Sequence, residues 1–135
     1  HLFVFTHKTD FNASLIDSYL ECVADQRNVP LSDLKGYGDF MKDKLLDWPA
    51  AQKAAWSARQ AYIAIGNLLH TAARLEVDAC PMEGFEKESL NDILGLNDRG
   101  LSVAALVATG YRAESDATQH QSKVRRSKDA LFTLL

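Results

Sequence analysis

The sequence predicts an α+β domain in which helices outweigh strands. Three observations carry this. Apolar runs at 2–5 and 102–112 read as strands, residues 50–75 read as one long helix, and the connections between these elements are unequal in length. Regular strand–helix alternation, the mark of a doubly wound sheet, is missing. With 135 residues, the chain suits a single domain, 1–135, around one main core. Such a chain buries roughly two-thirds of the surface its unfolded form exposes.

Taken in order, Leu2, Phe3, Val4 and Phe5 form a continuous apolar run that fits a strand covered on both faces. Asp10 or Asn12 can cap a helix over about 13–27, with Leu15, Ile16, Tyr19, Leu20 and Val23 on one stripe. Pro30, Gly36 and Gly38 then punctuate the chain, and Ser32 is a candidate cap for a short helix around 33–46.

Trp48-Pro49 opens the strongest element, because proline at a first helical position is pre-set for helix. Residues 50–75 hold no proline and only Gly66 as glycine. Ala55, Ala58, Tyr62, Ile65, Leu69 and Ala72 make one stripe, with Ala61, Ala64, Leu68 and Leu75 beside it. A helix apolar nearly all round is buried in a core or an oligomer interface. Ala61, Ala64 and Gly66 would let a second backbone approach, so a central helix that also serves a dimer is expected. An extended segment follows, then a short helix over 86–95 ended by Gly95, and then the apolar run 102–112. A polar loop, a basic run and a final apolar "DALFTLL" complete the chain, without internal repeats.

Composition excludes several classes. A formal net charge of -3 argues against a nucleic-acid binder, which carries a basic excess. No apolar stretch reaches the ~20 residues of a membrane span. Cys22 and Cys80 lie far apart without metal-ligand spacing. Free thiols in a reducing, cytoplasmic setting are the expectation. His1, His7, His70 and His120 also lack ligand spacing, and His70 reads as a satisfied core or interface residue. No catalytic residue and no metal site are predicted.

Two constellations remain. In "DACPMEGFEKESL" (78–90), Pro81 stiffens the approach and Gly84 lets backbone lie close to a flat object. The buried-looking Glu83 and Gly84 would point their N–H groups into a cavity beside the 86–95 helix. Alternatively this is a plain strand-to-helix turn with Glu83 as a solvated first-turn acid. The second is "KVRRSK", four cations in six residues. In an extended segment, Lys123 and Arg125 share a face and could grip one phosphate. Alternatively the run only keeps a surface soluble.

The stretch "WSARQAYIAIGNLLHTAARLEVDACPMEGFEKESLNDILGL" (56–96), with "SVAALVATGYRAESD" and "KVRR" after it, resembles the C-terminal portion of the FMN-dependent nitroreductases. The resemblance spans essentially the whole chain, including the forty positions from Glu83 to Lys123. It implies a nitroreductase-like antiparallel sheet flanked by helices, with the long central helix at a dimer interface. It also implies a homodimer with two FMN sites between subunits. NAD(P)H would give a hydride to flavin N5, and in a ping-pong cycle a nitroaromatic, a quinone or another flavin would accept it. Pro81, Met82, Glu83 and Gly84 would line the flavin ring, with the Glu83 and Gly84 amides near N5 and O4. Lys123 and Arg125 would hold the FMN phosphate. The Phe40/Met41 region resembles the segment covering the substrate side.

The family's N-terminal portion supplies further phosphate-binding residues, and none precedes His1. The expectation is therefore a fragment of the full fold. The alternative function is a truncated, non-catalytic dimerising remnant that keeps the fold and binds flavin weakly or not at all.

Overall fold

The computed structural model describes residues 1–135. Strand β1 (Leu2–Lys8) leads to helix α1 (Ala13–Arg27), whose cap is Asn12, accepting a bond from the Ser14 amide at 3.1 Å. A 3-10 turn at Leu31–Leu34 runs directly into α2 (Lys35–Leu45). Ser32 lies inside that turn and is not the cap expected of it. Gly38 survives within α2 because the helix presses on α1 there. A Cβ at Gly38 would come within 2.5 Å of the buried Leu20 Cδ1.

Helix α3 (Ala50–Arg74) is the long helix, with Pro49 at its N-cap. Strand β2 (Asp78–Met82), α4 (Lys87–Ile93), β3 (Leu101–Gly110) and the short α5 (Lys128–Leu131) follow. The fold is α+β, as expected, with an antiparallel sheet in the order β1-β3-β2. The strand predicted over 102–112 ends at Gly110.

The core sits on both faces of β3, which explains its unbroken apolar character. On one face Ile65 of α3 packs with Ala105 and Val107, joined by Phe5, Leu68, Leu69 and Ala79. On the other Leu96, Val103 and Leu106 pack with Met82, Phe85 and Leu90. A bulge reconciles the two sets. Phe5 pairs with Ala105 and Thr6 with Val103, so Ala104 is an extra residue that reverses the side-chain alternation. Phe11 meets Trp56 edge-on, with ring centroids 5.2 Å apart, and ties the start of α1 to α3.

Beyond β2 the edge of β3 is completed by a side chain. Because β2 pairs only with residues 106–110 of β3, the Val103 amide has no strand on that side. It donates to Asn91 Oδ1 at 2.9 Å, and Asn91 Nδ2 donates to Ser102 Oγ at 3.0 Å. Both Asn91 and Ser102 are buried.

The ends of α1, α3 and α4 follow one pattern. At Asn28, Glu76 and Gly95 the chain turns left-handed, and paired bonds close the last turn. After α3 these are Val77 N–H to the Ala72 carbonyl at 2.9 Å and Glu76 N–H to Ala73 at 3.3 Å. Glu76 is the costly occupant, since its Cβ is strained at φ 57. Glu76→Gly is expected to raise stability by about 1 kcal/mol, read as a higher midpoint of urea unfolding. An unchanged or lower midpoint contradicts strain at this site.

The expectation of a helix buried on every side fails within the single chain. Only Ile65 and Ala72 of α3 are buried, while Ile63 is 63% exposed and Tyr62 40%. His70 is exposed in the single chain, so it is not a core residue. The sheet covers one side of α3, and nothing in the chain covers the other.

Candidate functional site

Pro81 can sit in β2 because β2 is an edge strand, where a missing N–H costs no ladder bond. Pairing ends at Met82, opposite Leu106, so the chain leaves the sheet at Glu83. Pro81, Met82 and Glu83 line a groove of about 490 Å³ whose opposite wall is α3. Tyr62, Ile65, Gly66 and Leu69 form that wall, one helical stripe brought to the groove by the 3.6-residue period. Ala105 of β3 forms part of the lining between them.

Gly84 is exposed, and a Cβ placed on it would meet nothing within 4 Å. The amides of Glu83 and Gly84 donate to no backbone acceptor, whereas Phe85 N–H turns back to the Glu83 carbonyl at 2.9 Å. The bend thus offers two free donors at the lip of a mostly apolar groove. The Glu83 side chain is exposed, not buried as its neighbours suggested. An acid flanked by Met82 and Gly84 escapes burial because the strand has already ended.

Tyr62 is the polar group that sequence reading placed only on a packing stripe. Its hydroxyl donates to the Ala104 carbonyl at 3.4 Å. Ala104 is the bulge residue, so Tyr62 bonds backbone that has no paired partner across the sheet. Hydrogen bonding toward the Glu83 carboxylate, then burial, then the Glu83 charge, push the Tyr62 phenol up to about 12. The signal available in the sequence was the i, i+3, i+7 spacing of Tyr62, Ile65 and Leu69 around Gly66.

The cationic segment faces a different space. Lys123 lines a cleft of about 400 Å³ with Cys80, Thr118, Asp78 and Arg112. Arg112 donates through Nε to Asp78 Oδ2 at 2.8 Å and through Nη2 to Oδ1, closing the end of the β2–β3 pair. Hydrogen bonds from Arg112 hold the Asp78 carboxyl down to about 2, and Lys123 contributes a weaker electrostatic pull in the same direction. Arg125 is exposed, and its Nη1 donates to the adjacent Val124 carbonyl at 2.7 Å.

Residues 122–127 pair with no strand, and of the two cations only Lys123 lines the cleft. The structure therefore brings Pro81, Met82 and Glu83 to one groove, with Gly84 at its edge. Lys123 stands at the neighbouring cleft, on the far side of β2's Asp78–Cys80 stretch, and Arg125 lines neither space. Both cysteines are exposed free thiols, and no cluster of three metal-ligating side chains forms. No helix is long and apolar enough to cross a membrane.

The Nitroreductase family model matches residues 15–111, a span that includes α3, the bend and all of β3. The chain is 31% identical over 137 residues to the major NAD(P)H-flavin oxidoreductase of Aliivibrio fischeri, covering 100% of this chain and 63% of that one. It is 44% identical over 63 residues to a protein of Staphylococcus aureus (strain USA300) named as a candidate NAD(P)H nitroreductase, covering 44% of this chain and 28% of that one. Its fold superposes with a TM-score of 0.74 on the crystal structure of a candidate NAD(P)H:FMN oxidoreductase from Staphylococcus epidermidis. That match covers 99% of this chain and 61% of the other at 17% identity. The chain thus spans less than two-thirds of the length of these relatives.

Proposed function

This chain belongs to the nitroreductase family, and we propose that, as the C-terminal portion of a nitroreductase-like domain, it works in an FMN-dependent NAD(P)H oxidoreductase. The observation that carries the reading is the bend at Glu83–Gly84, with two unpartnered amides at the lip of an apolar groove. A flat aromatic ring with polar atoms along one edge fits such a place. The groove of about 490 Å³ and the open space over Gly84 leave room for it.

In this reading Pro81 and Met82 pack on the ring, and the Glu83 and Gly84 amides hold its N5 and O4 edge. Lys123 and Arg125 hold the phosphate. Bound FMN would supply the hydride relay between NAD(P)H and a nitroaromatic, quinone or flavin acceptor, in a ping-pong cycle. The chain's own contribution is placement: Pro81 fixes the approach, the bend aims its donors, and α3 keeps water from one wall.

A homodimer is part of the same reading. A compact monomer of 15.0 kDa exposes roughly 7,000 Å², whereas this chain exposes 10351 Å². The excess, roughly 3,000 Å² on one chain, is roughly 6,000 Å² counted over two partners, the scale of the largest permanent interfaces. It includes Ile63 on α3, Leu2 and Phe3 on β1, and Phe132 and Leu134 near the end of the chain.

Purified protein is expected to stay yellow through dialysis and to bleach on NAD(P)H addition. A colourless dimer that ignores added FMN overturns the reading and leaves the non-catalytic remnant in its place. Within it, Gly84→Val is expected to abolish flavin binding and keep the unfolding free energy within about 1 kcal/mol of wild type, because the added side chain enters open space. Unchanged flavin affinity in that variant would count against the bend.

A further inference from the structure

We infer that the Asp78–Arg112 pair is a latch that docks residues 113–135 on the sheet and thereby positions Lys123 at its cleft. The inference rests on the flavin reading above and adds to it what holds the phosphate-gripping segment in place. The cleft has two walls of different origin. Cys80, Ala108 and Thr109 belong to the sheet, whereas Thr118, Gln119 and Lys123 come from the segment that follows β3. A cleft of this kind keeps its shape only if the two walls are tied together.

The tie is narrow. From Tyr111 to Leu135 every residue is exposed except the half-buried Asp116 and Gln119, so little packing holds the segment down. Its polar groups serve the segment itself. Asp116 Oδ1 accepts from the Thr118 amide at 2.9 Å and from its hydroxyl at 2.6 Å, and Gln119 Nε2 donates to the Glu114 carbonyl at 3.1 Å. Only Arg112 reaches back. Its amide donates to Asp78 Oδ2 at 3.1 Å, its Nε to the same oxygen at 2.8 Å, and its Nη2 to Oδ1. No other hydrogen bond or ion pair joins residues 111–135 to the strands and helices before them, apart from the sheet itself. A forked guanidinium–carboxylate bond fixes direction as well as distance, which a single exposed ion pair does not. Asp78 in turn begins β2, opposite Gly110, so the anchor is sheet backbone. The latch also gives a reason for a carboxylate in a cleft read as a phosphate site, where its charge alone would repel the ligand.

Asp78→Ala tests this on the full chain, because it removes all three bonds and also an anion from the cleft. Electrostatics alone then predict tighter FMN binding, whereas loss of the latch predicts weaker binding. FMN is expected to bind about ten-fold more weakly, on the scale of one charge-assisted bond. Riboflavin, which lacks the phosphate, is expected to stay within about two-fold of wild type, which also shows that the variant folds. Without ligand, nitrogen-relaxation order parameters across residues 113–123 are expected to drop from about 0.85 in wild type to below about 0.6 in the variant. Arg112→Lys, which keeps the amide bond and one ammonium bond, is expected to fall between the two in both readouts. FMN binding that is unchanged or tighter overturns the positioning role, as does equal loss of both flavins. Unchanged order parameters overturn the latch itself. A wild type that binds neither flavin removes the flavin reading and the phosphate role with it, while the order parameters still decide the latch.

Discussion

Replacing Lys123 and Arg125 together with Ala is expected to weaken FMN binding by about 100- to 10,000-fold and to leave riboflavin binding within about two-fold. Each charge-assisted bond to phosphate contributes roughly 1.5–3 kcal/mol, and every 1.4 kcal/mol is ten-fold in affinity. Both cations are solvent-exposed, so screening by water and salt places the expectation near the lower bound. The fold should be indifferent to the change. Arg125 bonds only its neighbour's carbonyl, and the Asp78 anion nearest Lys123 is already committed to Arg112. Comparing FMN with riboflavin titrations separates phosphate grip from ring grip. Equal weakening of both ligands refutes the assignment of these cations to a phosphate.

The second large effect is on stability. Asn91→Leu is expected to destabilise the fold by about 2–5 kcal/mol, measured by urea unfolding. Asn91 stands in for a strand, accepting from the Val103 amide and donating to Ser102 Oγ at the buried edge of β3. Leucine keeps the volume but orphans both partners, and each buried polar group without a partner costs about 1–3 kcal/mol. Ser102→Ala removes only the far end of this chain of bonds and should cost about 1 kcal/mol. A change below about 1 kcal/mol for Asn91→Leu would falsify the edge-completing role.

Periodicity and end signals were enough to read most elements. The 13–27 helix, the 50–75 helix and the apolar 2–5 and 102–112 runs correspond to α1, α3, β1 and β3 within a few residues. Their patterns are long, and Asn12, Pro49 and Gly95 mark boundaries by local chemistry. The 33–46 helix was less legible, because Gly36 and Gly38 argue against helix in isolation. Contact between Gly38 and Leu20 decided the matter. The 82–84 bend was legible as a bend, but the exposure of Glu83 was not, because it depends on where β2 stops pairing.

Asn91, Tyr62 and the Asp78–Arg112 pair were invisible as functional groups. Their partners are 12, 42 and 34 residues away respectively, and no local spacing encodes such meetings.

By itself, then, the order of residues determined most of the helix and strand inventory, the family, and the presence of a bend after Met82. These follow from backbone preferences and short-range patterning, which act within a few residues. Only the folded chain decided which face of α3 meets the sheet, that Tyr62 stands across from Glu83, and that Lys123 lies at a neighbouring cleft rather than in the groove. Those facts depend on the bulge at Ala104, which reverses the alternation of β3, and on burial, which selects one long-range arrangement among many compatible with the same local signals.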